Sequence, residues 1–341
     1  MDGTARAVTV VGRNVIVGGS FSYLVSPSGA KVAHPNLASI DLVTGSALTA
    51  FRASTNGAVL ALATDGASVY VGGAFTTING VARPYLAKIN RVTGAVDTSW
   101  RPSVPKAVRA IAYRNGTVYF GGDFGKIGAV ERNYAAAVDY RTGALRTFNP
   151  NSGGRIFAIA ISPNGTTAYL GGRFLTMGGQ GRAYLAAVGT GTGGLVGPGF
   201  AAPASPGVSW DVMSVDVSAD GATVLGATDS DNNKVVAWST STGQERWEQH
   251  PVGDGQAVDE VAGRVFFGFH GGFSVGGQVH GEYRLLSSAL TNGAVSTTFR
   301  PASNGGIGVD GLADAAGRLV AVGDFTQMGR TTGLHGVAIF E

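Results

Sequence analysis

A turn dipeptide recurs along this chain at a nearly constant interval. Thr-Gly begins at residues 44, 93, 142, 192 and 242, and Asn292-Gly293 continues the series. The successive intervals are therefore 49, 49, 50, 50 and 50 residues. A fixed period of this length is the signature of a propeller or a solenoid, in which each repeat is one supersecondary unit.

Each period contains the same succession of four short β-rich runs. In the second period they cover residues 59–63, 69–73, 85–89 and 95–100, and the second run ends in Gly-Gly. Asp-Gly or Asn-Gly separates the first two runs in most periods, which is a strong hairpin signal, and no run has helical periodicity. The sequence therefore predicts an all-β fold, a seven-bladed β-propeller of four-stranded antiparallel blades.

The predicted propeller is a single domain, residues 1–341. Its blades cover roughly residues 1–53, 54–103, 104–152, 153–205, 206–253, 254–303 and 304–341. The seventh repeat stops at Phe340, after its third run, so we expect either seven full blades or a seventh blade of three strands.

The repeat resembles a known family. Residues 69–75, 83–90 and 93–100, with their counterparts from Val118 and Tyr169, are similar to the delta-60 repeat, which is common in secreted bacterial proteins. The resemblance covers nearly the whole chain, although residues 235–247 look more like a quinoprotein-type propeller repeat. It implies a propeller and, with an Ala- and Arg-rich composition of actinobacterial type, an extracellular protein. The first ten residues do not resemble a signal peptide, so the expected leader is absent from this sequence.

Composition argues against several classes of function. The chain has no cysteine, which excludes disulfides, thiolate metal sites and a cysteine nucleophile. The net charge is only +3, and the arginines recur through the repeats instead of forming a dense basic stripe, so we expect no nucleic-acid binding. No apolar run approaches the ~20 residues of a membrane helix, so no membrane span is expected.

No cofactor is expected, with calcium as the one alternative. Asp229 and Asp231 begin a segment like a calcium-binding loop. Lys234 replaces the glycine of an EF-hand, so these two aspartates are candidates only for a looser calcium site.

Repetition separates scaffold from candidate site residues. Arg83, Arg132 and Arg182 occupy the same position in three repeats, which predicts a structural role as donors to backbone carbonyls. His34 and Glu282 take this position in the first and sixth repeats. A polar residue that breaks the pattern in one repeat is instead a candidate for a specific role, because one ligand on a pseudo-symmetric ring requires asymmetry.

Most such departures fall where the second run ends and where the first run begins. Both places are expected on one face of a propeller, around the mouth of its channel. The ligand-binding candidates are Asp123, Arg173, Asp254, Gln256, His270, His280, Glu282 and Asp324. Four of them, Asp254, His270, His280 and Glu282, belong to the sixth repeat and are the catalytic candidates. The alternative is a loop that contacts another domain through solvated polar residues.

A second departure lies on the first runs. Asp216 and Asp259 stand where the other repeats carry Thr or Ala. Two carboxylates on adjacent blades suggest a glycosidase-type pair if their separation suits; the alternatives are water binding and strand capping.

Two functions are compatible with these features. The first is an extracellular binding propeller that recognises a glycan or protein partner, as one module of a longer native chain. The second is a polysaccharide lyase or glycoside hydrolase that uses the sixth-repeat cluster, with Arg173 or Arg109 holding an acidic sugar. The absence of a recognised catalytic motif favours binding, and the concentration of ionisable departures in one repeat favours chemistry.

Overall fold

The structure is a computed structural model that describes residues 1–25, 29–200, 210–230, 233–306, 308–329, 331–332 and 335–341. Every regular element within these ranges is a β-strand, as the sequence predicts. The described part contains no helix long and apolar enough to cross a membrane.

The strands fall into seven consecutive units. Unit 1 contains β1 (Thr4–Val11), β2 (Asn14–Ser20), β3 (Tyr23–Val25), β4 (Lys31–Ala33) and β5 (Leu37–Asp41). Unit 2 contains β6 (Val59–Thr64), β7 (Ser68–Gly73), β8 (Thr77–Ile78), β9 (Val81–Ala82) and β10 (Leu86–Asn90). Unit 3 contains β11 (Val108–Arg114), β12 (Thr117–Gly122), β13 (Lys126–Ile127), β14 (Val130–Glu131) and β15 (Ala135–Asp139). Unit 4 contains β16 (Arg155–Ile161), β17 (Thr167–Arg173), β18 (Thr176–Met177), β19 (Gln180–Gly181) and β20 (Leu185–Gly189).

The remaining units follow the same plan, except that unit 5 has no small hairpin among its described residues. Unit 5 contains β21 (Trp210–Val217), β22 (Thr223–Ser230), β23 (Val235–Ser239) and β24 (Glu245–Gln249). Unit 6 contains β25 (Gly255–Val261), β26 (Arg264–Phe269), β27 (Phe273–Val275), β28 (Gln278–His280) and β29 (Leu285–Ala289). Unit 7 contains β30 (Val309–Asp314), β31 (Leu319–Gly323), β32 (Gln327–Met328), β33 (Thr331–Thr332) and β34 (Val337–Phe340).

In every unit except unit 5 the first, second and last strands form an antiparallel meander, and the two short strands form a separate hairpin; unit 5 forms one four-stranded sheet, β21-β22-β23-β24. Each first strand contacts the first strand of the next unit, and β30 of unit 7 contacts β1 of unit 1. Each first strand therefore contacts the first strands of two other units.

The Gly-Gly pair at the end of the second strand has a steric cause. A Cβ on Gly72 would lie 2.7 Å from Val108 of the next unit, and a Cβ on Gly73 would overlap the Ala58 carbonyl oxygen. The first glycine thus allows the next sheet to approach, and the second allows the chain to pass its own first strand. Gly18 in unit 1 and Gly121 in unit 3 make the same approach to Val59 and Ile156.

The expectation of four strands per sheet is met only in unit 5. The sheet of unit 7 has three strands and ends at Phe340, which is the second of the two expected outcomes. In units 1 to 4 and 6 the segment after the turn dipeptide makes one isolated bridge with the sheet, as between Ile89 and Val96. The chain then turns away, because Asp97 Oδ1 accepts the backbone N–H groups of Ser99 and Trp100. Trp100 is thereby buried against Val118 and other residues of the next unit, and its indole N–H donates to the Asp139 carbonyl at 2.9 Å.

The recurrent arginines donate to backbone carbonyls, as predicted. Arg83 donates to Ala82 at 2.7 Å and to Thr98 at 2.6 Å. Arg132 donates to the carbonyls of Glu131 and Arg146, and Arg182 donates to that of Gly181. Arg83 is buried, with 9% of its surface exposed, whereas Arg182 is only partly buried.

This difference in burial makes Arg83 and Arg182 a matched pair of variants. Arg83→Ala should lower the free energy of unfolding by about 1–3 kcal/mol, because two partly buried carbonyls lose their donors. Arg182→Ala should cost less than about 1 kcal/mol. Urea denaturation of both variants measures the difference, and equal losses would show that the buried hydrogen bonds are not what Arg83 contributes.

Candidate functional site

A β-bulge interrupts the first strand of every unit at the same position. The register shifts between Ala5 and Ala7 in unit 1, for example, and between Val108 and Ala110 in unit 3. The bulged residues of units 1 to 7 are Arg6, Leu60, Arg109, Phe157, Met213, Gln256 and Asp310. All seven line one cavity of about 300 Å³, together with Arg155, Arg173, Asp211 and Asp229. We call this the mouth cavity.

The bulged residues differ in chemistry although the backbone around them repeats. They include arginine, aspartate, glutamine, phenylalanine, leucine and methionine side chains. A bulge re-aims a side chain that a regular strand would direct elsewhere. One repeated backbone feature thus gathers seven different side chains at one point.

A second tier of side chains lies where the first strand begins and the second strand ends. Arg155 pairs directly with Arg173 across β16 and β17, and Asp211 pairs with Asp229 across β21 and β22. Like charges directly opposite each other are unfavourable within a sheet. An ion pair between the two units offsets both repulsions. Arg173 of unit 4 forms a bidentate ion pair with Asp211 of unit 5, with Nε 2.8 Å from Oδ1. Asp211 is 1% exposed.

The neighbouring ion pair, Arg109–Asp123, lies within unit 3, and Arg155 of unit 4 approaches it. Arg109 donates two hydrogen bonds to Asp123, at 2.9 and 3.0 Å. Arg155 lies 3.4 Å from the same carboxylate. The guanidinium of Arg109 also lies over the ring of Phe157, 5.6 Å from its centroid. Two arginines therefore share one aspartate beside an aromatic face.

Asp310 provides an acidic group on another part of the lining. Burial raises the pKa of Asp310 to about 6, and the nearby Arg6 partly offsets the shift. Its Oδ2 is buried and accepts no hydrogen bond from the described residues. Asp324 lies close enough to Asp310 to repel it, and accepts the Gly308 N–H at 2.7 Å.

Arg173 and Gln256 are the ligand-binding candidates that line the mouth cavity, and Asp123 is held beside it by Arg109 and Arg155. In unit 6, Asp254 stands where the first strand begins and His270 where the second strand ends. The Nδ1 atom of His270 lies 3.5 Å from the Asp254 carboxylate. Asp324 of unit 7 holds the position that His270 holds in unit 6. The Asp324 N–H donates to the Gly308 carbonyl, and the His270 N–H donates in the same way to the Asp254 carbonyl.

His280 and Glu282 form a different pair. His280, at the end of β28, lies 3.0 Å from the Glu282 carboxylate and stacks on Tyr283 at 4.8 Å. The four catalytic candidates therefore form two contacting pairs, Asp254–His270 and His280–Glu282. The described residues contain no group of three or more His, Asp or Glu side chains arranged to hold a metal ion. Asp229 lines the mouth cavity, whereas Asp231 lies outside the described residues.

The carboxyl groups of Asp216 and Asp259 are close enough to share a hydrogen bond. Burial raises the pKa of Asp216 to about 6, and burial together with repulsion from Asp216 raises that of Asp259 well above its ordinary value. Glycosidase carboxyls stand about 5–9.5 Å apart so that a sugar or water fits between them. A pair in mutual contact is too close for either geometry, and the glycosidase interpretation of this pair is wrong.

Sequence reasoning missed seven residues of the cavity lining: Arg6, Leu60, Arg155, Phe157, Asp211, Met213 and Asp310. Asp211 escaped notice because unit 5 has Ala227-Thr228 where units 1 to 4 carry Gly-Gly, so its strands could not be aligned by that marker. Aligning the starts of the first strands would have found Arg155 and Asp211, since Asp254 holds the same position.

Comparisons with known proteins bear on the fold alone. No protein-family model and no curated protein sequence matches the chain. In all, 1169 solved chains match this protein. One of them is the crystal structure of the computationally designed Ika8 protein, with a TM-score of 0.59 and 14% sequence identity. That match covers 100% of this chain and 96% of the other.

The Asp216–Asp259 pair predicts a pH dependence of stability. Both pKa values are higher in the folded state than in the unfolded chain, so the folded state binds more protons and its stability falls as pH rises from about 4 through about 6. Asp259→Asn should reduce this loss, because the amide cannot ionise. Thermal unfolding at pH 4.5 and 7.5 measures it. As a control, Asp220→Asn removes a carboxyl whose pKa the Ser218 hydroxyl lowers below its ordinary value, so the change in stability between pH 4.5 and 7.5 should stay as in the parent. An unchanged slope in Asp259→Asn would contradict the account of the pair.

The Arg173–Asp211 ion pair predicts a rescue. Arg173→Met should lower the free energy of unfolding by about 1–3 kcal/mol, because it leaves a buried carboxylate without its donors. Adding Asp211→Asn should restore part of that loss. A double variant less stable than the sum of both single variants would contradict this role.

Proposed function

We propose that the seven units are the blades of a closed β-propeller, and that the protein is a binding module for a glycan held at the mouth cavity. Two observations support closure: the contact between β30 and β1, and the convergence of all seven bulged residues on one cavity. The delta-60 resemblance and an extracellular location are part of the same proposal and rest on the sequence.

The observation that carries the binding function is the asymmetry of the mouth cavity. Scaffold positions such as the Gly-Gly pair repeat from unit to unit, whereas the seven bulged residues include six residue types. Nothing in the packing of the sheets requires this variety, because the same bulge accommodates Leu60 and Arg109. Side chains that vary at one fixed backbone position around a common space are suited to an asymmetric ligand.

The chemistry of the lining favours a glycan over a protein surface. Concave sites of a few hundred Å³ with a few placed polar groups bind small ligands, whereas a protein partner requires about 800 Å² of contact on each side. The lining offers guanidinium donors, carboxylate acceptors and the ring of Phe157. Sugars present hydroxyl groups at their edges and C–H groups on their faces, and these match such a set.

The alternative of a polysaccharide lyase or hydrolase rests on one observation, the Asp254–His270 pair beside the mouth. An imidazole next to a carboxylate can act as a general base. If this alternative holds, His270→Ala and Asp254→Asn should abolish degradation of acidic polysaccharides without a matching loss of stability. A polysaccharide that is bound but left intact by the parent protein favours the binding module.

A glycan array with a variant in the lining tests the proposal. Phe157→Ala should weaken binding of any glycan that the parent recognises by about tenfold or more, which corresponds to ~1.4 kcal/mol. Val43→Ala is the control, since Val43 is 62% exposed and lies next to a Thr-Gly turn outside the lining. Parent and both variants are compared on the array and by thermal unfolding. Equal binding by all three proteins would exclude the mouth cavity as the site.

A further inference from the structure

Two arginines compete for one carboxylate beside the mouth cavity. The Asp123 carboxylate accepts both hydrogen bonds of the Arg109 fork, and Arg155 reaches it only through Nε at 3.4 Å. A carboxylate neutralises one guanidinium, so one positive charge remains in excess between units 3 and 4. The Arg155 side chain is 53% exposed, and its terminal nitrogens make no hydrogen bond within the described residues.

The neighbours of Arg155 do not remove this excess. Its partner across the sheet is Arg173, a second cation, which is already engaged by Asp211. Asp211 and Asp229 line the next part of the cavity in unit 5, and Asp310 lines it in unit 7. The cavity thus has an unsatisfied cationic group on the unit 3–4 side and acidic groups beyond it.

We propose that the ligand is an acidic glycan, and that Arg155 binds the carboxylate of a uronate residue. The inference rests on the proposed function, because it assigns the ligand class of the same cavity. A guanidinium presents parallel N–H groups that match a planar carboxylate. The acidic groups of units 5 and 7 repel the anion and so orient it toward units 3 and 4.

A carboxylate fits this geometry better than a sulfate group does. Both are oxyanions that arginine binds. Arg109 and Arg155 approach from the unit 3–4 side, which suffices for the edge of a planar carboxylate. A tetrahedral sulfate directs its oxygens outward in all directions, and some of them would face the acidic groups of the remaining lining.

The test compares three soluble polymers by calorimetry: polygalacturonate, its neutral methyl ester and dextran sulfate. The proteins are the parent, Arg155→Gln, and Arg141→Gln as a control that removes the same charge from the exposed turn of unit 3. Polygalacturonate should bind the parent at least about tenfold more tightly than the ester does. Arg155→Gln should lose about tenfold in affinity for polygalacturonate, and Arg141→Gln less than about twofold. Thermal unfolding verifies that each variant is folded.

The outcomes separate the two proposals. Equal binding of the ester, or full binding by Arg155→Gln, would overturn the acidic ligand and leave a glycan-binding mouth in place. Preference for dextran sulfate, lost in Arg155→Gln, would overturn the carboxylate in favour of a sulfated glycan. Failure of the parent to bind any carbohydrate, on the array or in solution, would overturn both.

Discussion

The architecture depends on the close approach of one sheet to the next, which five of the seven units make at a glycine of their second strand. Val108 of unit 3 packs where a side chain on Gly72 would stand, and Val59 of unit 2 does the same at Gly18. A methyl group at either glycine would push the following sheet away, because protein interiors are too densely packed to absorb it. The first strands meet from unit to unit because this contact is kept short. Aromatic side chains such as Trp100 then fill the wider part of the same interface.

The same repeated backbone also explains how a nearly symmetric scaffold carries an asymmetric site. The second glycine of each pair allows the chain to pass close to the start of the first strand, beside the bulge. None of the seven bulged side chains belongs to a buried hydrophobic cluster between the sheets, so their identities are free to vary. Arg109 and Phe157 contact each other across two units for this reason, although neither belongs to the repeat pattern.

Much of the fold could be predicted from the sequence, because turns and glycines are local. The Thr-Gly interval gave the seven units, and the recurrence of Arg83, Arg132 and Arg182 gave their contacts with carbonyls. A fourth strand was predicted in more units than have one. The turn that Asp97 makes toward the next unit outweighs the β-propensity of the segment around it. Departures from the repeat pattern also located Asp123 and Arg173. The repeat pattern could not locate Arg6 or Asp310. A bulge reverses the alternation of inward and outward side chains from which the orientation of a strand residue is predicted.

The account's central claim is that the seven bulged residues surround the place where a ligand binds. A crystal structure of the protein with a galacturonate oligosaccharide tests it most directly. The account predicts the sugar in the mouth cavity, with its carboxylate about 2.7–3.2 Å from the terminal nitrogens of Arg155. A well-ordered oligosaccharide at the hairpin of His280 and Glu282, or elsewhere on the surface with the mouth cavity empty, would contradict it.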